Sequence, residues 1–207
     1  MPFDQTPLPR PNAVGATHPG DRAVGIWLLG VALMVLIMVA LGGATRLTGS
    51  GLSIMEWRPL TGWFPPLSEA EWQRLFDLYR AIPQYTAVNA GMDLAGFKEI
   101  YWLEYLHRLW GKLIGVAFLV PFLWFLARGA LPRRSVPLLA GLFALGALQG
   151  LMGWVMVESG LVDRPSVSHY RLAAHLGLAF VLYGLLLWAA LDLADAPRRR
   201  DPALAGP

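Results

Sequence analysis

The chain has 207 residues, of which 56% are hydrophobic and 15% are charged. Its mean hydropathy of +0.47 is typical of a polytopic membrane protein and excludes an ordinary soluble domain. The formal net charge of +3 fits anchoring to anionic lipid headgroups and does not predict nucleic-acid binding. Because the sequence has no cysteine, disulfides, iron–sulfur clusters and thiolate metal ligands are excluded.

Four apolar runs are long enough to cross a bilayer as helices, and they cover residues 25–41, 105–127, 136–157 and 172–191. About 20 helical residues span the hydrocarbon core. We therefore predict an all-α fold, a polytopic membrane four-helix bundle over residues 25–193. The Pro-rich residues 1–24 and 194–207 are predicted to be cytoplasmic tails, the first of them disordered. No small-residue cleavage site precedes the first run, which predicts a retained helix rather than a signal peptide.

Basic residues predict the orientation of these spans. They precede the first span, separate the second from the third and follow the fourth, at Arg10, Arg22, Arg128, Arg133, Arg134, Arg198, Arg199 and Arg200. The positive-inside rule places these segments and both termini in the cytoplasm. The loop over about residues 45–102 then lies outside, because long loops cross membranes largely regardless of their charge.

The external loop is rich in aromatic residues and contains a helix signal. Ser68 and Glu71 have the spacing of a capping box, and apolar residues then recur on one helical face, at Trp72, Leu75, Phe76 and Tyr79. This pattern predicts a short amphipathic helix over about residues 69–81, stopped by Pro83. The helix either anchors the loop at the membrane interface or covers an externally facing pocket.

Two histidines lie inside predicted spans. His107 and His175 each fall within about two turns of the outer end of the second and fourth spans. Ionisable groups inside a membrane are costly and usually functional, and cofactors of four-helix bundles bind between facing helices. We interpret the pair as axial ligands of one haem iron, contributed by diagonally opposed helices. His169 is predicted to lie in the interfacial loop after Pro165 and not to bind iron.

Glu104 lies one helical turn before His107. It can approach the edge of a haem bound there, or it can form a salt bridge with Arg108 or Lys98, and the sequence leaves both alternatives open. The Glu-x-x-His pattern also occurs in di-iron bundles, but those sites need a second copy and two further glutamates. A di-iron centre is therefore not favoured.

Four other side chains are candidate ligand contacts. Gln149, in the third span, either forms a hydrogen bond between helices or contacts a bound ligand. Arginines stand at the outer ends of the first, second and fourth spans, at Arg46, Arg108 and Arg171. Guanidinium groups suit the recognition of carboxylates such as haem propionates, although they also anchor helix ends at the interface.

With these residues identified, the chain resembles haem A synthases of the alphaproteobacterial and mitochondrial branch. The resemblance covers roughly residues 25–190. It is carried by GGATRLTGSGLSI at 42–54, EWRP at 56–59, GWFPP at 62–66, FKEIYWLEYLHR at 97–108 and the segment 149–175.

The resemblance implies a bacterial inner-membrane enzyme that oxidises the C8 methyl of haem O to a formyl group, giving haem A for cytochrome oxidase. It implies that His107 and His175 hold the substrate haem O and that Glu104 assists the oxidation. The external cysteine pair of some relatives is absent. An alternative reading is a non-catalytic bis-histidine haem subunit that serves electron transfer or assembly.

Members of this branch are built from two similar four-helix halves, and the chain corresponds to the N-terminal half. We therefore expect a haem b cofactor in a missing half or in a partner copy, either because the chain is a fragment or because it forms a homo-oligomer. Haem O synthase is a further expected partner, and the electron donor is unknown.

Overall fold

The computed structural model describes residues 21–58, 61–162 and 165–199. Six helices follow one another along it: α1 Asp21–Leu47, α2 Glu69–Arg80, α3 Pro83–Ala87, α4 Leu94–Ala127, α5 Val136–Val162 and α6 His169–Arg199. The described residues contain no strand, and α1, α4, α5 and α6 are long and apolar enough to cross a membrane. The predicted all-α membrane four-helix fold is confirmed.

The long helices extend beyond the apolar runs that predicted them. α4 begins at Leu94, where the Asp93 side chain accepts a hydrogen bond from the Gly96 amide at 2.9 Å, and not near residue 105. α6 begins at His169 and continues to Arg199, so the prediction of a loop at His169 was wrong, and the helix extends into the tail predicted from residue 194. Hydropathy detects the membrane-facing part of a helix, whereas capping and packing against other elements decide where the helix ends. Residues 1–20 and 200–207 of the predicted tails lie outside the described residues.

The predicted amphipathic helix is present as α2. Its N-cap Ser68 accepts a hydrogen bond from the Glu71 amide at 3.2 Å, and its apolar face packs on the N-terminal part of α4, with Trp72 4.8 Å from Tyr101 between ring centroids. That face is therefore buried against protein. Pro83 starts the unpredicted helix α3, since proline is compatible with a first helical position.

Contacts among the four long helices give a closed bundle. α1 packs against α4 and α6, and α5 packs against the same two helices, which leaves α4 and α6 on one diagonal. One apolar cluster, with Leu28 and Leu186, fills the end of the bundle near the start of α1, and a second, with Phe97 and Tyr101, joins α2 to α4. An internal cavity is lined by residues of both clusters, including Val35 of the first and Tyr101 of the second.

Gly25 permits the close crossing of α1 and α6. A Cβ atom at this position would stand 2.8 Å from the Ala194 amide nitrogen and 2.9 Å from the Ala190 carbonyl oxygen. Backbone atoms of a packed helix cannot move aside, so we expect Gly25→Ala to destabilise the bundle by about 1–3 kcal/mol. Thermal unfolding in mild detergent measures this. Gly30→Ala is the control, because within the described residues nothing lies within 4 Å of its added Cβ; equal unfolding midpoints would contradict the prediction.

Candidate functional site

A cavity of about 1350 Å³ opens inside the bundle and is lined by all four long helices and by the loop that follows α1. Pockets for small ligands commonly measure about 300–1,000 Å³, so this one has room for a large ligand. His107 of α4 and His175 of α6 both line it. The structure therefore brings the two histidines to one cavity from diagonally opposed helices, the arrangement expected from the sequence.

Each histidine ring lies against a glycine of a neighbouring helix. A Cβ atom on Gly42 of α1 would stand 3.2 Å from His107 Nε2, and one on Gly153 of α5 would stand 3.2 Å from His175 Cε1. Such distances are shorter than ordinary van der Waals contact between side chains. The two glycines thus provide the space that the imidazoles occupy.

Gln149 connects α5 to His175. Its Nε2 donates to the His175 carbonyl oxygen at 3.0 Å and lies 3.4 Å from His175 Nε2. Two buried polar atoms of this pair, Gln149 Oε1 and His175 Nδ1, have no hydrogen-bond partner among the described residues. Buried polar atoms normally find partners, so the pair is unsatisfied where it borders the cavity. Gln149 forms the expected bond between helices, and its contact with a ligand stays a prediction.

The Glu104 carboxylate is 2% exposed and accepts five hydrogen bonds. Its Oε2 accepts hydrogen bonds from the Ser53 amide at 2.6 Å, the Ser53 hydroxyl at 2.7 Å and the Ile54 amide at 2.9 Å. Its Oε1 accepts a hydrogen bond from Arg108 Nε at 2.9 Å and another from Nη2 of the same side chain. Glu104 therefore fastens the loop after α1 to α4, one turn from His107.

Arg108 completes this attachment. Its Nη2 donates to the Ile54 carbonyl at 2.7 Å and its Nη1 to the Glu56 carbonyl at 3.2 Å. Of the two salt-bridge partners considered for Glu104, Arg108 is the one observed, while Lys98 pairs with Glu69 at 3.0 Å. Nearly all of the donor capacity of Arg108 is thus directed to the protein itself.

The remaining predicted residues divide into two groups. Arg46 lines the cavity with an exposed side chain. Arg171 and His169 are not among the described residues that line it: Arg171 reaches the Val155 carbonyl at 3.4 Å, and the exposed His169 ring lies 4.1 Å from that of Tyr170 between centroids.

Sequence analysis missed Lys112 and Arg58, which also line the cavity. Lys112 Nζ donates to the carbonyl oxygens of Thr61 and Gly62 at 2.6 and 2.9 Å, and Arg58 pairs with Glu56 at 2.7 Å. A lysine within an apolar run is itself a functional signal and could have directed attention to Lys112. Nothing in the sequence indicated its loop partners.

An ion-pair network holds α2 beside the cavity mouth. Arg74 binds both oxygens of Glu56 at 3.0 Å and both oxygens of Glu71 at 2.8 Å. The hydrogen bonds from Arg74 lower the pKa of Glu56 below its ordinary value, against the opposing effect of partial burial. Because Glu71 and Leu75 of α2 line the cavity, α2 covers part of it, and this packing favours the pocket-cover alternative.

An all-helical bundle with four helices long and apolar enough to cross a membrane, and two histidines on one internal cavity, belongs to the class of multi-pass membrane helix bundles. More particularly, the chain belongs to the cytochrome oxidase assembly protein family, whose model matches residues 25–206. The resemblance found in the sequence is confirmed.

Curated relatives agree with this assignment. The chain is 59% identical over 182 residues to a protein named heme A synthase from Paramagnetospirillum magneticum, covering 86% of this chain and 51% of that protein. It is 56% identical over 193 residues to a heme A synthase from Parvibaculum lavamentivorans, covering 93% and 56%. The chain thus spans about half the length of the curated relatives it matches. No solved structure matches it.

The hydrogen bonds of Glu104 predict a structural effect of its removal. Glu104→Gln deprives the half-buried Arg108 of its counter-charge, and breaking a buried ion pair costs about 3–5 kcal/mol. We expect a lower unfolding midpoint and faster chymotryptic cleavage after Trp57, whose side chain is exposed, because the loop loses its attachment.

The matched control is Glu99→Gln, which changes an exposed carboxylate of the same helix. If both variants unfold and are cleaved like the unaltered chain, Glu104 does not fasten the loop.

Proposed function

We propose that this chain binds haem between His107 and His175 and forms the substrate half of a haem A synthase. In this reaction the C8 methyl of haem O is oxidised to a formyl group. The observation that carries the proposal is the pair of imidazoles on one cavity of about 1350 Å³, reached from diagonal helices. Family membership and relatives named heme A synthase at 53–59% identity support it.

The residues at the cavity fit a haem. Two neutral imidazoles are suitable axial ligands for its iron. His175 and Gln149 line the cavity, and His175 Nδ1 and Gln149 Oε1 are buried without partners among the described residues, which supports the proposal. Gln149, whose Oε1 is buried without a partner in the described structure, is proposed to contact the bound haem. Arg46 is proposed to meet a propionate, because Arg108 is engaged by the loop.

Glu104 is proposed to assist the oxidation as a positioning residue. It lines the cavity next to His107, but its carboxylate is engaged by five donors. It therefore acts by fixing residues 53–56 beside the haem, and we expect it to affect turnover more than haem retention.

The whole reaction needs parts beyond these residues. The chain covers about half of its relatives, so we propose that electrons arrive through a haem b held in the other half or in a second copy of the chain. The enzyme is placed in the bacterial inner membrane with both termini cytoplasmic, as the arginine distribution predicts, with haem O synthase as the source of its substrate.

A non-catalytic bis-histidine haem subunit is the second candidate. The engagement of Glu104 and Arg108 by structural partners favours it, since neither group is left to act on a substrate. Product analysis separates the two functions. Co-expression with a source of haem O, in an assembly that restores the other half, should yield hydroxylated or formylated haem only if the chain belongs to a synthase.

Haem binding by the two histidines predicts the spectrum of the isolated protein. His107→Ala and His175→Ala should each remove or greatly change the Soret band, because each deletes one axial ligand. His169→Ala should leave it nearly unchanged, since His169 lies away from the cavity lining. Pyridine-haemochrome spectra should give one haem per chain. Equal losses in all three variants would exclude the assignment.

The glycines beside the histidines provide a second test. Gly42→Ala and Gly153→Ala should each displace an imidazole by a few tenths of an ångström, because the added Cβ would stand 3.2 Å from the ring. We expect shifted low-spin EPR signals and several-fold weaker haem retention. Gly30→Ala and Gly141→Ala are controls on the same helices, since in the described structure nothing lies within 4 Å of their added Cβ and neither glycine lines the cavity. Control variants with the same spectral shifts would contradict the proposed ring positions.

A further inference from the structure

The loop segment Thr61-Gly62-Trp63-Phe64-Pro65-Pro66-Leu67 borders the cavity, which is lined by Gly62 and residues 64–67, and we call this segment the lip. Phe64 and Leu67 line the cavity yet are 80% and 86% exposed. We propose that the lip is inserted into the interfacial layer of the bilayer, with Phe64 and Leu67 in contact with lipid.

Side chains of the membrane helix α4 hold the lip. Tyr105 Oη donates to the Trp63 carbonyl at 2.7 Å, and Lys112 Nζ donates to the carbonyls of Thr61 and Gly62 at 2.6 and 2.9 Å. Lys112 Nζ also lies 5.4 Å from the centroid of the Trp63 ring. The lip is therefore fixed at the height of these two α4 side chains.

The positions of Lys112 and Tyr105 along α4 give the depth of the lip in the membrane. The helix ends at Ala127, next to the basic residues expected at the opposite membrane boundary. At 1.5 Å per residue, Lys112 lies about 22 Å from that end and Tyr105 about 33 Å. The hydrocarbon core is about 30 Å thick, so Lys112 and Tyr105 lie on either side of its outer boundary, and a long lysine side chain extends towards that boundary.

The backbone of the lip is suited to a medium poor in water. Unpaired N–H and C=O groups are costly in lipid. The carbonyls of three consecutive residues, 61–63, accept hydrogen bonds from α4 side chains, and Pro65 and Pro66 have no N–H group to satisfy. Aromatic residues and lysine are also the common anchors of this layer. These features favour lipid over a protein partner as the occupant beside the lip.

In this position the cavity borders on lipid, because Phe64 and Leu67 line the cavity and are also exposed on the protein surface. An amphiphile dissolved in the leaflet on that side would meet the cavity at the lip. The inference concerns membrane contact and is independent of haem, so its test and the test of the proposed function can fail separately.

Site-specific fluorescence tests the inference, because the cysteine-free chain allows a single label at a chosen position. Phe64→Cys and Leu67→Cys are labelled with an environment-sensitive dye in vesicles of phosphatidylcholine and phosphatidylglycerol. Val88→Cys is the control: it is 65% exposed and precedes Leu94, the first residue of α4, which lies about 50 Å along the helix from Ala127.

We expect blue-shifted emission at positions 64 and 67, with quenching by a headgroup-proximal nitroxide lipid several-fold stronger than at position 88. Iodide on both sides of the membrane should quench the label at 88 most. Iodide quenching at 64 and 67 equal to that at 88 would overturn the inference. Shielding of 64 and 67 from both quenchers would indicate a protein contact and would also overturn it.

The Lys112 tether gives an independent measurement. Lys112→Met in the Phe64→Cys background removes the hydrogen bonds to Thr61 and Gly62, so the label should become more mobile and less quenched by the nitroxide lipid. Arg128→Met, an exposed change at the other end of α4, should have no effect. An unchanged label in Lys112→Met would show that the tether does not set the depth of the lip.

Discussion

The attachment of Glu104 to the loop after α1 is the interaction on which the site depends. A carboxylate 2% exposed inside a helix bundle is tolerable only when its charge is paired and its oxygens accept hydrogen bonds. Arg108 and the amides of Ser53 and Ile54 meet both requirements. Since the same helix carries His107 one turn later, the network that neutralises Glu104 also fixes the loop across the cavity next to His107.

The cavity combines rigid walls with incompletely satisfied polar groups. Gly42 and Gly153 leave room for the two imidazoles, whereas His175 Nδ1 and Gln149 Oε1 are buried without partners within the part of the chain that the structure describes. These two atoms are informative because unsatisfied buried polar groups are rare in native proteins. The fold thus stabilises a site whose polar groups still need a partner, which is consistent with the haem-binding proposal.

Much of the fold followed from local patterns. The apolar runs located the four membrane helices, and the capping box of Ser68 located α2 with an error of one residue at its end. The limits of α4 and α6 did not follow, because their ends lie outside the apolar runs. α4 starts where the Asp93 side chain caps it, and its first turns are stabilised by Phe97 packing on α2, a contact between segments distant in sequence.

By itself the sequence determined the all-helical class, the two histidines inside spans and the family, because hydropathy, helical period and motif spacing are local properties. Only the tertiary structure decided which groups meet. It joined Arg108 to the carbonyls of Ile54 and Glu56, and it left Arg171 outside the cavity lining. It also joined Lys112 to Thr61 and Gly62, some fifty residues earlier in the chain. Such contacts depend on how loops fold back over helices, and no spacing along the chain encodes them.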